Sequence, residues 1–98
     1  MLVKIFIKRH FKEGKTKEIN ALLTEFRAGA MNRPGYVSGE TLLDPEDPNK
    51  VLVIGTWQNM ESWLNWKEDS ARKKFEAMLE IYQHGSTEYD AYLLGKSL

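Results

Sequence analysis

The chain has 98 residues, of which 42% are hydrophobic and 29% charged, and its 14 basic residues balance its 14 acidic residues. This length predicts one domain spanning residues 1–98, and a balanced charge without a dense basic patch argues against nucleic-acid binding or recruitment to an anionic membrane. The lack of cysteine excludes disulfides, thiolate zinc sites, cysteine-bound iron–sulfur clusters and a cysteine nucleophile, and the lack of a long apolar run or leader pattern predicts a cytoplasmic location.

The first part of the chain predicts a strand followed by a helix. Residues 2–10 place Val3, Ile5 and Ile7 on one face and other apolar side chains on the opposite face, as the two-residue period of a strand requires. Residues 16–31 place apolar side chains at helical spacing, namely Ile19, Leu22, Leu23, Phe26 and Ala30. An Asn-Arg-Pro-Gly sequence at residues 32–35 ends this helix, because proline cannot continue its hydrogen bonds.

The second part of the chain predicts two strands, a helical region and a last strand. Residues 36–43 and 51–57 have strand patterns, and an acidic turn with two prolines joins them. Asn59 is a candidate N-cap for a helix that reaches about Tyr82, unless Asp69 and Ser70 break it into two pieces. Residues 87–95 alternate again and predict the fourth strand.

This order of elements predicts an α+β fold of the ferredoxin-like β-α-β-β-α-β type. Two helices would cover one face of a four-stranded antiparallel sheet. The other face would carry apolar side chains in either register: Phe6, Leu42, Tyr92 and Leu94, or Leu43, Val53, Tyr89 and Leu93. Leaving that face in water would forfeit several kcal/mol at about 25 cal/mol per Å². We therefore expect a homodimer in which two sheets pack face to face and form a dimeric α+β barrel.

Several segments together resemble a known family. They are the first strand ending at Arg9-His10, the helix exit at residues 32–36, the strand ending at Thr56-Trp57, the helix beginning at Asn59-Met60-Glu61-Ser62-Trp63, and the last tyrosine-bearing strand. Over nearly its whole length the chain is similar to the antibiotic biosynthesis monooxygenase domains of the dimeric α+β barrel superfamily. The resemblance implies the same fold, but similar domains include cofactor-free oxygenases of aromatic polyketides, haem-degrading oxygenases and proteins without an assigned reaction.

The haem-degrading branch is similar to this chain at Trp66. In that branch the tryptophan lies against the porphyrin, a histidine about three turns later binds iron, and an asparagine lies on the first strand. Here Glu76 stands near the histidine position and Ile7 near the asparagine position, while His84 follows only near the predicted helix end. The resemblance therefore does not carry the iron ligand, and we expect neither a cofactor nor a metal ion.

We expect a small apolar pocket between the helices and the sheet. The candidate pocket residues are Trp66, Trp63, Ile7, Phe75, His10 and Tyr82. Trp63 also fits ordinary core packing, and Trp66 lies one step off the apolar stripe, so it fits either pocket lining or partial exposure. Hydrogen-bonding or basic groups could come from Arg9, His10, Tyr36 and Tyr82, but no catalytic residue can be assigned. The basic run at residues 72–74 is interpreted as an outer helix face.

The function that the resemblance implies is cofactor-independent monooxygenation of a small aromatic or quinol-like molecule. Such a substrate must itself be easily deprotonated and oxidised, and it must be held in an apolar pocket with a base or a hydrogen-bond donor. The alternatives are a non-enzymatic ligand-binding or structural dimer and a haem-binding or haem-degrading protein. Buried polar groups in the pocket favour the first function, a filled core favours the second, and a defined haem spectrum favours the third.

Overall fold

The computed structural model describes residues 1–95, which form four strands and three helices. In chain order these are β1 (Val3–His10), α1 (Thr16–Met31), β2 (Tyr36–Leu43), β3 (Lys50–Trp57), α2 (Met60–Lys67), α3 (Ser70–Glu80) and β4 (Glu88–Leu93). The strands form one antiparallel sheet in the order β2-β3-β1-β4, which confirms the predicted ferredoxin-like arrangement. Within residues 1–95 no helix is long and apolar enough to cross a membrane.

The second helical region consists of two helices. The Asn59 side chain caps α2 by accepting a hydrogen bond from the backbone N–H of Ser62 at 2.8 Å, as its position predicted. Asp69 then caps α3 in the same way, accepting from the backbone N–H of Ala71 at 2.8 Å. The break that the sequence left open is therefore present, and the fold has one helix more than the six-element pattern.

The core lies between the helices and the inner face of the sheet. Val3, Ile5 and Ile7 of β1 point into it, as their alternation predicted, and all three are buried. The other buried apolar residues are Phe11, Ile19, Phe26, Val51, Trp57, Trp63, Trp66 and Leu79. Three tryptophans thus belong to one continuous core, which also borders the candidate site.

The outer face of the sheet carries the first of the two predicted sets of apolar side chains: Phe6, Leu42, Tyr92 and Leu94. Leu42, Tyr92 and Leu94 are 42%, 61% and 49% exposed in the single chain. Phe6 packs edge-to-face against Tyr92, with ring centroids 5.4 Å apart. The centre of the inner face is therefore buried, whereas large apolar side chains meet solvent on the outer face and at the edge-strand positions Leu43 and Leu93 of the inner face.

Candidate functional site

A cavity of about 90 Å³ lies between α1, the α2–α3 pair and the inner face of the sheet. Its wall is mainly aromatic and apolar, with Phe26, Tyr36, Trp57, Trp63, Trp66, Ile7, Leu23, Ala30 and Val53. Arg9 and Arg72 also line it, although both side chains belong to the buried part of the protein. The exposed residues Arg27, Glu40 and Thr41 bound it on the solvent side. The protein thus has an aromatic cavity with two buried guanidinium groups in its wall.

A β-bulge in β2 directs Tyr36 toward this cavity. The pairing of β2 with β3 shifts between Tyr36 and Ser38, so the extra residue brings Tyr36 and Gly39 to the same face of the sheet. A Cβ atom on Gly39 would lie 2.7 Å from the Tyr36 hydroxyl, and glycine therefore leaves the space that this side chain needs. Tyr36 then packs edge-to-face against Trp57, with ring centroids 5.4 Å apart.

Trp66 is 3% exposed and forms part of the cavity wall. Its ring fits closely against α1, because a Cβ on Gly29 would lie only 3.2 Å from the tip of the indole. The Arg33 guanidinium lies over the indole at 4.7 Å and is paired with Asp69, with 3.1 Å between Nη1 and Oδ2. Of the two positions that the sequence allowed for Trp66, the structure has the buried one.

Arg72 is the most unusual side chain of the site. It is 2% exposed, and its guanidinium lies 5.1 Å from the ring centroids of Phe26 and Trp63 and 5.4 Å from that of Tyr89. Its Nη2 donates to the Tyr89 hydroxyl at 3.1 Å, but its buried Nε–H has no hydrogen-bond partner within residues 1–95. Leaving a buried donor unpaired costs about 1–3 kcal/mol, so this N–H is an unfavourable feature of the core.

The interpretation of residues 72–74 as an outer helix face is wrong for Arg72. The side chains of α3 that turn inward are Arg72, Phe75, Glu76 and Leu79, at the spacing of one helical stripe. Lys73 and Lys74 remain exposed. A sequence signal for Arg72 was available, because steps of four and three residues back from Leu79 reach Phe75 and Arg72. The interpretation as one continuous helix from Asn59 placed Ala71 on the inner face instead of Arg72.

Glu76 connects the two buried arginines to β4. Its carboxylate accepts two hydrogen bonds from Arg9, at 2.9 Å and 3.3 Å, and others from the Tyr89 and Thr87 hydroxyls. Burial alone would raise the pKa of Glu76, but the hydrogen bonds and charge of Arg9, together with the two hydroxyls, lower the pKa below its ordinary value of 4.5. Burial and the bond to Glu76 raise the pKa of Tyr89. At neutral pH the single carboxylate of Glu76 is therefore shared by two guanidinium groups, those of Arg9 and Arg72.

The structure brings only part of the predicted pocket set together. Ile7, Trp63 and Trp66 line the cavity, and Phe75 stacks on the ring of Phe26 at 5.3 Å, behind the wall. Tyr82 lies beyond the end of α3, where its carbonyl accepts a hydrogen bond from the backbone N–H of Lys12. The roles of these residues in binding stay predictions.

His10 lies in a different place, at a groove of about 810 Å³ that borders the outer face of the sheet. Its Nε2 is 3.3 Å from a carboxylate oxygen of Asp47, and its ring centroid is 5.1 Å from that of His84. Within residues 1–95 no group of three or more His, Asp and Glu side chains could hold a metal ion. His84 lines the same groove as His10, whereas Trp66 lines the aromatic cavity.

A family model described as antibiotic biosynthesis monooxygenase matches residues 2–78. The chain belongs to this family. The matched part of this antibiotic biosynthesis monooxygenase domain includes every residue that lines the aromatic cavity. No curated protein matches the chain.

Solved structures share the fold of this antibiotic biosynthesis monooxygenase domain at low sequence identity. A conserved protein from Methanosarcina mazei Go1 is 16% identical, with a TM-score of 0.87 over 94% of this chain and 91% of that chain. A variant of SnoaB, a cofactor-independent oxygenase from Streptomyces nogalater, is 13% identical, with a TM-score of 0.86 over 99% of this chain and 96% of that chain. At these identities the likeness establishes a shared fold, and the chemistry has to be argued from this chain's own residues.

Proposed function

We propose that this protein is a cofactor-independent monooxygenase that acts on a small phenol or quinol-like molecule in the aromatic cavity. The observation that carries the proposal is the placement of Arg72, a buried cation, in a wall that is mainly aromatic and apolar. The rings suit a flat aromatic substrate, and the guanidinium suits a substrate oxygen that becomes negative during the reaction. Family membership and the fold shared with SnoaB support the same class of reaction.

A phenol in this site would need no separate reductant. Its anion gives one electron to dioxygen, and the resulting phenoxyl radical and superoxide join through a new C–O bond at a ring carbon that bears hydrogen. The peroxide takes up a proton, the ring carbon loses its hydrogen as a proton, and the O–O bond breaks. One oxygen atom becomes the quinone carbonyl and the other leaves in water. Phenol and dioxygen thus give quinone and water, with dioxygen accepting all four electrons.

Each part of the cavity has a definite role in this proposal. Arg72 stabilises the phenolate, and the shared carboxylate of Glu76 leaves its positive charge only partly neutralised. Trp63 and Trp66 flank the ring and exclude water, which protects the radical pair and the peroxide from side reactions. Tyr36 is brought to the same space by the bulge of β2 and is a candidate hydrogen-bond donor to the ring substituents.

The proposal is tested with a panel of small phenols, naphthols and hydroquinones in air-saturated buffer containing a chelator. We expect oxygen uptake with stoichiometric quinone formation, and we expect Arg72→Gln to lower kcat/KM about tenfold or more, a loss of about 1.4 kcal/mol of transition-state stabilisation. Lys74→Gln, from the same basic run but exposed, should leave the rate unchanged. Lack of turnover across the panel by folded protein would contradict the proposal.

The small size of the cavity favours one alternative, a non-enzymatic ligand-binding or structural dimer of the same fold. A volume of about 90 Å³ is smaller than the roughly 150 Å³ that holds benzene in another protein interior. A single aromatic ring therefore requires the cleft between α1 and β2 to widen or leaves part of the ligand in solvent. Ligand binding without oxygen uptake would assign the domain to this alternative.

We also propose that the domain works as a homodimer through the outer face of its sheet. The support is the set of exposed apolar side chains on that face, which includes Leu42, Tyr92 and Leu94. Such a patch is self-complementary in a closed two-fold dimer, the commonest assembly for soluble proteins.

A further inference from the structure

Arg27 differs from the other three arginines of the chain in its partners. Each of the other three lies 2.9–3.7 Å from a carboxylate oxygen. Arg27 is exposed on α1, and its Nη2 donates to the backbone carbonyl of Gly39 in β2 at 3.2 Å. Within residues 1–95 this is the one hydrogen bond of its guanidinium, and none of the ion pairs there includes Arg27. Most of its N–H donors therefore remain for solvent or for a ligand.

The Arg27 guanidinium lies at the opening of the aromatic cavity, between α1 and β2. Its hydrogen bond to Gly39 joins the two sides of this opening, and Thr41 lies on the β2 side. Glu40 also borders the opening, but the alternation of β2 places its side chain on the outer face of the sheet with that of Leu42. The charge that a molecule meets at this opening is thus positive.

The cavity is too small to enclose a substituted aromatic ring. Its volume of about 90 Å³ is below the roughly 150 Å³ that holds benzene in another protein interior, so a phenol whose ring enters it keeps its other substituents in the opening. A carboxylate there would fit Arg27, because a guanidinium presents parallel N–H donors to the two oxygens of a carboxylate. A neutral substituent of the same size would gain no such contact.

We propose that Arg27 determines specificity by binding an acidic substituent, so that the ligand of the cavity is a carboxylated phenol. This inference rests on the proposed function in that it takes a phenol as the ligand, and it adds the substituent that is selected and the residue that selects it. Because the carboxylate lies outside the cavity, Arg27 acts on substrate binding and not on the reacting ring. Its loss should therefore raise KM for such a substrate and leave kcat unchanged.

The test compares two phenolic acids with their uncharged amides: 4-hydroxybenzoate with 4-hydroxybenzamide, and 3-(4-hydroxyphenyl)propionate with its primary amide. Calorimetric titration gives the Kd of each compound. The tighter-binding acid should bind the wild-type protein about fivefold more tightly than its amide, the factor expected for a partly exposed ion pair, and salt at about 1 M should reduce this preference. Arg27→Gln should bind acid and amide about equally. Lys17→Gln removes the same charge from an exposed position of α1 outside the cavity wall and should keep the preference.

Three results would overturn the inference: equal affinities of the wild-type protein for acid and amide, an acid preference that persists in Arg27→Gln, or failure of the wild-type protein to bind any of the four compounds. If Arg27→Gln does not fold, Arg27→Met keeps the apolar stem of the side chain and serves as the second variant. Because the titrations measure binding alone, an acid preference without oxygen uptake would support the inference and contradict the oxygenase. Oxygen uptake without an acid preference would do the reverse.

Discussion

The negative charge of Glu76 allows two arginines, Arg9 and Arg72, to be buried in one small core. Its carboxylate accepts hydrogen bonds from Arg9 and lies 3.7 Å from Arg72, so both cations depend on the same acid. Two hydroxyls complete its shell, one from Tyr89 and one from Thr87. A buried ionic group of this kind is stable only while every partner is present, because removal of one leaves an uncompensated charge.

Glu76→Gln is expected to destabilise the protein by about 3 kcal/mol at pH 7, the lower end of the range for breaking a buried ion pair, because the carboxylate is slightly exposed. The lowered pKa of Glu76 means that its contribution is present above pH 4.5 and is lost as the pH falls through the folded-state pKa. The two stability curves should therefore converge in acid. Urea denaturation between pH 3 and 7 measures this, with the exposed Glu25→Gln as the control. A constant difference at all pH values would contradict it.

Trp63→Ala is expected to cost about 3–5 kcal/mol, the usual range for a buried large aromatic. Trp63 is 4% exposed and packs between Trp57 and Tyr89, with centroid distances of 6.0 Å and 6.1 Å. The matched control is Leu64→Ala on the same helix, where the side chain is 45% exposed and the expected cost is within about 0.5 kcal/mol. Equal denaturation midpoints for the two variants would show that the burial of Trp63 does not stabilise the fold.

The sequence pattern predicted the burial of apolar residues that line the cavity but not the burial of Arg72. The burial of Ile7 and Trp63 followed from strand alternation and helical spacing, since large apolar side chains are buried wherever the pattern repeats. Trp66 lies one step off that stripe, and its spacing left pocket lining and partial exposure open. Helical spacing counted back from Leu79 also reaches Arg72, but an arginine followed by two lysines was interpreted as part of a solvated face. Its burial depends on partners from α1, α2 and β4, which no local pattern reveals.

Among the elements, the junction from α1 into β2 has the tightest packing constraint. Gly35 has a φ of +85°, and a Cβ atom there would collide with the Ser62 side chain at the start of α2. Its carbonyl also accepts a hydrogen bond from the backbone N–H of Gln58 at 2.8 Å. The turn that ends α1 thus touches the start of α2, and both helices contribute to the cavity wall.

Gly35→Ala is therefore expected to cost more than an ordinary glycine substitution at positive φ. Gly14 supplies the comparison, since its φ is +88° but nothing lies within 4 Å of a Cβ built there. Gly14→Ala should cost about 1–2 kcal/mol from backbone strain alone, and Gly35→Ala a further 1–3 kcal/mol or so from the collision. Denaturation midpoints of the two variants give the difference. Equal costs would mean that Ser62 moves aside freely.

The order and type of the elements were predictable because apolar residues repeat every two positions in the strands and every three to four positions in the helices. The break before α3 was visible as a possibility, since Asp69 is a good N-cap residue, but the sequence could not decide it against a continuous helix. The bulge that turns Tyr36 toward the cavity was not predicted. It depends on the pairing register with β3, which is a long-range property of the folded chain.

At the scale of the whole molecule, a dimer is the expected state in solution. Sedimentation at micromolar concentration should give about twice 11.4 kDa. Leu42→Lys combined with Tyr92→Glu places charges on the outer face and should yield monomer, because the apolar area that drives association is lost. Leu64→Lys, an exposed apolar residue of the helical layer, should leave the dimer intact. A wild-type monomer at these concentrations would refute the prediction.

Because Arg9 and Arg72 share the carboxylate of Glu76, these three residues can be lost in evolution only in certain orders. Losing Arg72 first leaves Arg9 and Glu76 as a neutral pair, and the site becomes an uncharged pocket that other ligands can occupy. Losing Glu76 first leaves two cations that had both lain within 3.7 Å of one oxygen, with nothing between them. We therefore expect homologues to lose Arg72 before they lose Glu76. Homologues that lack Glu76 should also have replaced Arg9, Arg72 or both.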